Sequence, residues 1–230
     1  MMNVKRLSFS YKSQSILDEV SFSLKKGEIT GLVAPNGTGK TTLLKLLANL
    51  LPTKQGEFLI DGENQREMSY KKRIFFLENV EGLMRELSVL DHLKMIQSFW
   101  QSEVELSWVL EKFSLEDIQN KPIRKLSLGQ KQSVLLMLYV MSDAEVLLFD
   151  EPTNALDPTN VLVMNEMMDY LREKGKIILY SSHNLENLKL LADRIFFLKN
   201  QKIIEMENDA SIFNSYQTLF VQEEKVKKWT

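Results

Sequence analysis

Glu28-Ile29-Thr30-Gly31-Leu32-Val33-Ala34-Pro35-Asn36-Gly37-Thr38-Gly39-Lys40-Thr41-Thr42-Leu43-Leu44 decides the fold. The run to Val33 reads as a strand, the segment around Gly37 and Gly39 as a tight loop, and Thr41 to about Leu50 as a helix packed through Leu43, Leu44, Leu46 and Leu47 and stopped before Pro52. Strand, glycine loop and helix in direct succession are the context in which backbone N–H groups and a helix N-terminus surround phosphate. Gly37 and Gly39 let the chain curl so that N–H groups from Asn36 to Gly39, Thr38 included, face inward. Lys40 then neutralises β- and γ-phosphates, the Thr41 hydroxyl completes a magnesium shell and Thr42 assists at the α-phosphate. A nucleoside triphosphate and Mg²⁺ are therefore the expected ligands. The strict loop pattern opens with glycine where this chain has Ala34, which fits if φ there is negative.

Much further along, Val146-Leu147-Leu148-Phe149-Asp150-Glu151-Pro152-Thr153 places two carboxylates directly after four apolar residues. Such a strand runs through the centre of a sheet and delivers its C-terminal end to the ligand crevice. Asp150 is suited to hold Mg²⁺, usually through water, and Glu151 to orient and activate an attacking water.

Around these two segments, Leu7, Phe9 and Tyr11 alternate with polar residues, as do Val20, Phe22 and Leu24, and both stretches read as strands with one buried face. Phe58-Leu59-Ile60 enters an Asp61-Gly62 turn, and Ile74 to Leu77 is another buried strand. From Val80 to Lys125 the apolar residues recur at helical spacing, which predicts an inserted helical region. A helix over Leu128 to Met141, a helix near Thr159 to Glu173, a strand Lys176 to Tyr180, a short helix Leu185 to Ala192 and a hairpin around Lys199-Asn200-Gln201 complete the order. From Asp209 the tail is a small helix or frayed. The sum is an α/β fold: a mostly parallel core sheet, an N-terminal antiparallel subdomain and a helical insertion. The expected organisation is one domain over 1–230, with a nucleotide-binding core in 1–79 and 126–205, a helical subdomain in 80–125 and a short tail in 206–230.

With 230 residues the chain is long enough for one large α/β domain. Its 29 Lys and Arg nearly balance 31 Asp and Glu, so no global positive field points to nucleic acid, and none is expected as a partner. The absence of cysteine excludes disulfides and thiolate zinc sites and fits a reducing compartment. The start, Met1-Met2-Asn3-Val4-Lys5-Arg6, carries no signal-peptide core, and the longest apolar run, Val134 to Met141, is far below membrane-spanning length. Any membrane role is therefore expected to come through a partner.

Together with the phosphate loop and the two acids, Leu126-Ser127-Leu128-Gly129-Gln130 makes the sequence, over about residues 2 to 205, resemble the nucleotide-binding subunit of an ATP-binding cassette transporter. The resemblance implies a P-loop ATPase that works as a dimer, a homodimer with a heterodimer as the alternative. In it Ser127, Leu128, Gly129 and Gln130 face the ATP held by the opposite copy, although Leu128 replaces the usual glycine. It implies further that Tyr11 stacks on adenine and that His183, in Ser181-Ser182-His183, contacts the γ-phosphate. Asn154-Ala155-Leu156-Asp157 would cross the dimer interface, and Asn79 would take the place of a glutamine that reaches metal and lytic water. His92, in the helical region, needs no such role. By the same resemblance the subunit is cytoplasmic, peripheral on the inner face of the membrane, and bound to separate transmembrane permease subunits. Export is expected over import, because the segment after Glu205 is too short for the regulatory domain that importer motors often add. A soluble ATPase of translation or DNA repair is the alternative, but the second cassette or long coiled-coil insertion usual in those classes is not seen. A non-catalytic regulator is expected to lose Glu151 or His183.

Overall fold

The computed structural model describes residues 1–153 and 156–221. Six strands form the central sheet: β3 (Glu28–Val33), β6 (Ile74–Phe76), β7 (Val146–Asp150), β8 (Ile177–Ser181), β9 (Arg194–Lys199) and β10 (Lys202–Glu207). Their spatial order is β10-β9-β3-β8-β7-β6, parallel throughout except for the β9–β10 hairpin. Asn200 and Gln201 close that hairpin with φ of 48° and 66°, the two successive left-handed residues of a type I′ turn.

The unbroken apolar runs of this sheet follow from burial on both faces. Val146 and Leu148 of β7, Ile177 and Leu179 of β8, and Phe196 and Leu198 of β9 join one core. Leu147 and Phe149, Ile178 and Tyr180, and Ile195 and Phe197 join the other. The first core is closed by α1 (Lys40–Leu47) and by a four-stranded antiparallel sheet in the order β2-β1-β4-β5, made of β1 (Met2–Tyr11), β2 (Gln14–Leu24), β4 (Gln55–Ile60) and β5 (Glu63–Asn64). The second is covered by α5 (Leu128–Ser142), α6 (Pro158–Glu173) and α7 (Leu185–Leu191), with α3 (Val89–Trp100) and α4 (Leu106–Lys112) packed beyond α5. Every residue of α5 from Gln132 to Ser142 is buried, so this helix sits between layers and shows no amphipathic stripe.

Several boundaries differ from the sequence reading. The first strand begins at Met2, and its alternation breaks at Arg6, whose φ of 48° forms a bulge that moves the buried face from Met2 and Val4 to Leu7. Phe9 is consequently only half-buried and Tyr11 exposed. The helix after the phosphate loop stops at Leu47 rather than Leu50, because Asn49 turns left-handed (φ 55°) and donates its amide to the Gln65 carbonyl. The short α2 (Met68–Lys72) between β5 and β6 has no counterpart among the expected elements; it buries only Tyr70. Between Val80 and Lys125, α3 and α4 are flanked by short 3₁₀ turns, one before α3 and two after α4. His92 is a buried structural residue there, its Nδ1 2.8 Å from the Ser88 carbonyl and its Nε2 accepting from the Met84 N–H. In the tail, α8 (Ile212–Tyr216) and one further turn to Val221 pack back on the second core.

Arg73 joins the two sheets. Its guanidinium grips Glu145 through two bonds of 2.7 Å, bonds Asp61 at 2.7 Å and caps the Ile60 carbonyl. Lys26, then the N-terminal ammonium, hold the Asp61 carboxyl well below the usual carboxylate range.

Candidate functional site

In the central sheet β3, β8, β7 and β6 are consecutive neighbours and parallel, so the loops leaving their C-terminal ends lie side by side. Those loops carry Asn36–Gly39, Ser182-His183, Glu151 and Glu78-Asn79 respectively. The first, third and fourth of them border a cleft of about 630 Å³, whose lining includes Tyr11, Asn36, Lys40, Thr41, Asn79 and Glu151, while Ser182 and His183 lie outside that lining. Gly37, Gly39, Thr42 and Asp150 also face it.

The phosphate loop depends on two left-handed glycines. Gly37 has φ 80° and Gly39 φ 111°, and a Cβ on Gly39 would meet the Ile16 side chain at 2.4 Å. Ala34 stays out of the left-handed region, so its methyl is tolerated where the strict pattern has glycine. Its carbonyl accepts a 2.8 Å bond from Lys40 Nζ, which folds the lysine back over the loop. Thr38 donates to the Pro35 carbonyl at 2.7 Å and so braces the turn from outside the cleft lining.

Thr41 and Asp150, 109 residues apart in sequence, meet at 2.5 Å, the threonine hydroxyl donating to Oδ2. Asp150 Oδ1 accepts from the Ser181 hydroxyl at 2.6 Å. Glu151 follows with φ 49°, a left-handed conformation that disfavours a side chain by roughly 1–2 kcal/mol. Its N–H is held by the Ser181 carbonyl at 3.0 Å and the Ser181 hydroxyl oxygen at 3.1 Å, which fixes the turn. That turn aims the carboxylate between two partners. Oε2 is 2.6 Å from His183 Nδ1 and accepts the His183 N–H at 3.2 Å. Oε1 is buried and 3.4 Å from Lys40 Nζ, an ion pair whose geometry makes no hydrogen bond. Oε1 is thus an acceptor whose lone pairs no hydrogen-bond donor occupies, the capacity that a proton-accepting carboxylate needs.

The remaining residues divide. Tyr11 lines the cleft, about half exposed, its ring edge-on to Phe9 at 4.9 Å. Asn79 lines it too, with Oδ1 turned to accept from the Glu81 N–H at 2.9 Å, and Glu78 beside it pairs with Lys45 at 2.8 Å. Leu128 reaches the rim of this chain's own cleft and is 55% exposed. Ser127, Gly129 and Gln130 lie outside that lining; Ser127 and Gln130 form a reciprocal cap at the start of α5. The cap uses a Ser127 lone pair and leaves its hydroxyl proton free to donate. Asp157 caps α6 by accepting from the Asn160 N–H at 2.9 Å and is exposed. Asn154 and Ala155 lie outside the described residues.

Two residues of the site were given no role of their own in the sequence reading. Ser181 bonds both acids, and Gln132 donates to the Pro152 carbonyl at 2.8 Å, pinning the turn after Glu151 to α5. Ser181 adjoins the motif Ser182-His183 and was legible by position; Gln132 sits two residues past Gln130 with nothing to distinguish it.

A phosphate-binding loop, a hydroxyl and carboxylate pair beneath it and a second carboxylate turned into the same cleft define a P-loop nucleotide-hydrolysing site. Residues 17–154 match the family model for ABC transporters. The chain is 32% identical over 227 residues to the lantibiotic transport ATP-binding protein SrtF of Streptococcus pyogenes, covering 96% of this chain and 98% of that one. It is 35% identical over 185 residues to the cytochrome c biogenesis ATP-binding export protein CcmA of Legionella pneumophila, covering 80% and 92%. A solved structure described as an ATP binding subunit of an ABC transporter superposes with a TM-score of 0.84 at 24% identity, covering 99% of this chain and 98% of that one. The chain belongs to the ABC transporter ATP-binding family and is an ATPase. Among its described residues no helix is long and apolar enough to cross a membrane.

Proposed function

We propose that the chain is the motor of an exporter: two copies clamp ATP between them, hydrolyse it and move separate membrane permease subunits, to which they bind on the inner face. The observation that carries the hydrolytic reading is Glu151, with one oxygen 2.6 Å from His183 and the other buried, without a hydrogen bond, 3.4 Å from Lys40. In this reading Tyr11 stacks on adenine, the N–H groups from Asn36 to Gly39 and the Lys40 ammonium take the β- and γ-phosphates, and Thr42 serves the α-phosphate. Thr41 and Asp150 form a hard oxygen pair that fits Mg²⁺, an ion that needs one or two protein oxygens and completes its shell with water and phosphate. When bound, Mg²⁺ supplies neutralisation of the charge on the β- and γ-oxygens.

Glu151 orients a water and takes its proton, and His183 holds the carboxylate in place through Nδ1 and its backbone N–H. Lys40 relaxes from Glu151 toward the terminal phosphate once ATP arrives, because the charge of a triphosphate in the same cleft outweighs that of one carboxylate. Ser127, the N–H groups at Leu128 and Gly129, and Gln130 of a second copy close the other side, with Asp157 near the interface. Removal of the terminal phosphate takes away the charge that both copies grip, and the clamp opens. Asn79 leads out of the cleft toward α3, a route by which the change can reach a permease. The direction, export, is supported by near end-to-end likeness to the lantibiotic transport protein and by the likeness to the cytochrome c biogenesis export protein.

Turnover of MgATP by the purified chain tests the hydrolytic part, and Asn79→Gln refines it. The longer side chain gains roughly 1.3 Å of reach into the cleft but loses the bond that caps Val80–Gly82. Hydrolysis is expected to be equal or faster, with a melting temperature lowered by a few degrees, since a cap contributes about 1 kcal/mol. A severe loss of turnover would show that the loop depends on the shorter amide. Co-purification from membranes with an identified permease tests the transport part.

A further inference from the structure

The segment that leads from β6 to Asn79 and the end of β7 that carries Asp150 are joined by one phenol. Tyr139 lies in the middle of α5, 1% exposed, in the apolar run Val134 to Met141. Its hydroxyl is 2.6 Å from the Leu148 carbonyl, to which it donates, and accepts the Leu77 N–H at 3.2 Å; the Leu77 carbonyl lies at 3.1 Å. Burial raises its pKa, so the hydroxyl keeps the proton it donates. The last rung between β6 and β7 is Phe76 opposite Leu148. The hydroxyl therefore stands where the ladder would continue, bridging a donor on one strand and an acceptor on the other, and the strands part there. Beyond it β6 continues to Glu78-Asn79, and β7 to Asp150-Glu151. The ring fixes the phenol in place. It stacks on Phe149 at 3.9 Å and meets Phe75 edge-on at 4.7 Å, and Phe75 meets Trp100 of α3 at 5.1 Å.

We propose that Tyr139 is a positioning residue for hydrolysis: its hydroxyl holds Asn79 at the correct separation from Asp150, so that movement of α5, whose N-cap is Ser127, is felt at both. The inference rests on the assignment of Asn79 to the reacting end of the cleft. Without the hydroxyl, the Leu77 N–H closes onto Leu148 or is left unpaired, and either outcome shifts Asn79. Displacements of about 1 Å at a reacting centre reduce rates by up to about a hundredfold. The nucleotide-holding loop from Asn36 to Thr42 has no bond to Tyr139 and is unaffected.

Tyr139→Phe keeps the ring and its stacking, so the full chain is expected to fold, which thermal melting verifies. At a temperature well below melting, kcat is expected to fall about tenfold while KM for ATP stays within about twofold. In an Asn79→Ala background, which is itself slow, the same change is expected to add less than about a twofold further loss, because both act through one loop. A purely structural tyrosine would lower the melting temperature and leave kcat unchanged, and that result would overturn the inference. So would a tenfold loss that persists in full in the Asn79→Ala background. An Asn79→Ala variant with normal turnover would instead remove the assignment of Asn79, and with it the route by which Tyr139 is held to act.

Discussion

Glu151→Gln is expected to lower MgATP hydrolysis by about a hundred- to ten-thousandfold, the range for loss of a positioned general base, while ATP still binds. The amide has the size and shape of the carboxylate and can keep one acceptor toward His183 Nδ1 and the His183 N–H, which now lie 2.6 and 3.2 Å from Oε2. It cannot take a proton from water. Binding is expected to hold or tighten, because the change removes a negative charge from beside the phosphates and frees Lys40, 3.4 Å away, to serve them alone. Single-turnover hydrolysis with isothermal titration of ATP separates the two effects. Unchanged turnover would show that Glu151 does not activate the water.

Lys40→Ala acts at the other end of the same ion pair and is expected to invert the pattern. Lys40 is 7% exposed, and among the described residues its Nζ bonds the Ala34 carbonyl and pairs with Glu151. A charge-assisted hydrogen bond to phosphate contributes about 1.5–3 kcal/mol, so affinity for ATP is expected to weaken by roughly ten- to a hundredfold. Hydrolysis at subsaturating ATP falls at least as far. The substitution also leaves Glu151, 16% exposed, without its cation, so the nucleotide-free protein is expected to melt lower. Titration of ATP and thermal melting measure both consequences. Unaltered affinity would mean that the phosphates lie elsewhere.

The two variants locate what the sequence made legible. β3, the loop and α1 were readable because left-handed glycines and a buried helix face leave strong local marks. β7 was readable because burial on both faces leaves no polar residue among Val146 to Phe149. The expected residues Asn36, Lys40, Thr41, Asp150 and Asn79 do border one cleft, because three parallel strands, β3, β7 and β6, deliver them to one edge of the sheet. Features set by tertiary context were not readable. The bulge at Arg6 uses a non-glycine in a left-handed conformation, which no propensity announces. The five-residue α2 is too short for a periodic signal. Tyr139 looks like one more apolar position in a helix buried all round, and its hydroxyl matters only because two strands part beside it. Ser127 shows the opposite case: its pattern was plain, yet within one chain it is simply a helix cap.

That last point isolates the central claim, that each ATP is gripped by Lys40 of one copy and Ser127 of the other. Ser127→Asp preserves the cap, since aspartate serves there as well as serine, but sets a carboxylate against the terminal phosphate. Two like charges about 4 Å apart repel by about 4 kcal/mol at an effective dielectric of 20, enough to silence hydrolysis. Lys40→Ala is silenced from the opposite side. When the two purified variants are mixed in equal amounts, mixed dimers carry one site with both changes and one with neither, so ATP hydrolysis is expected to reappear on mixing. Two folded, separately inactive variants that remain inactive together would contradict the shared site.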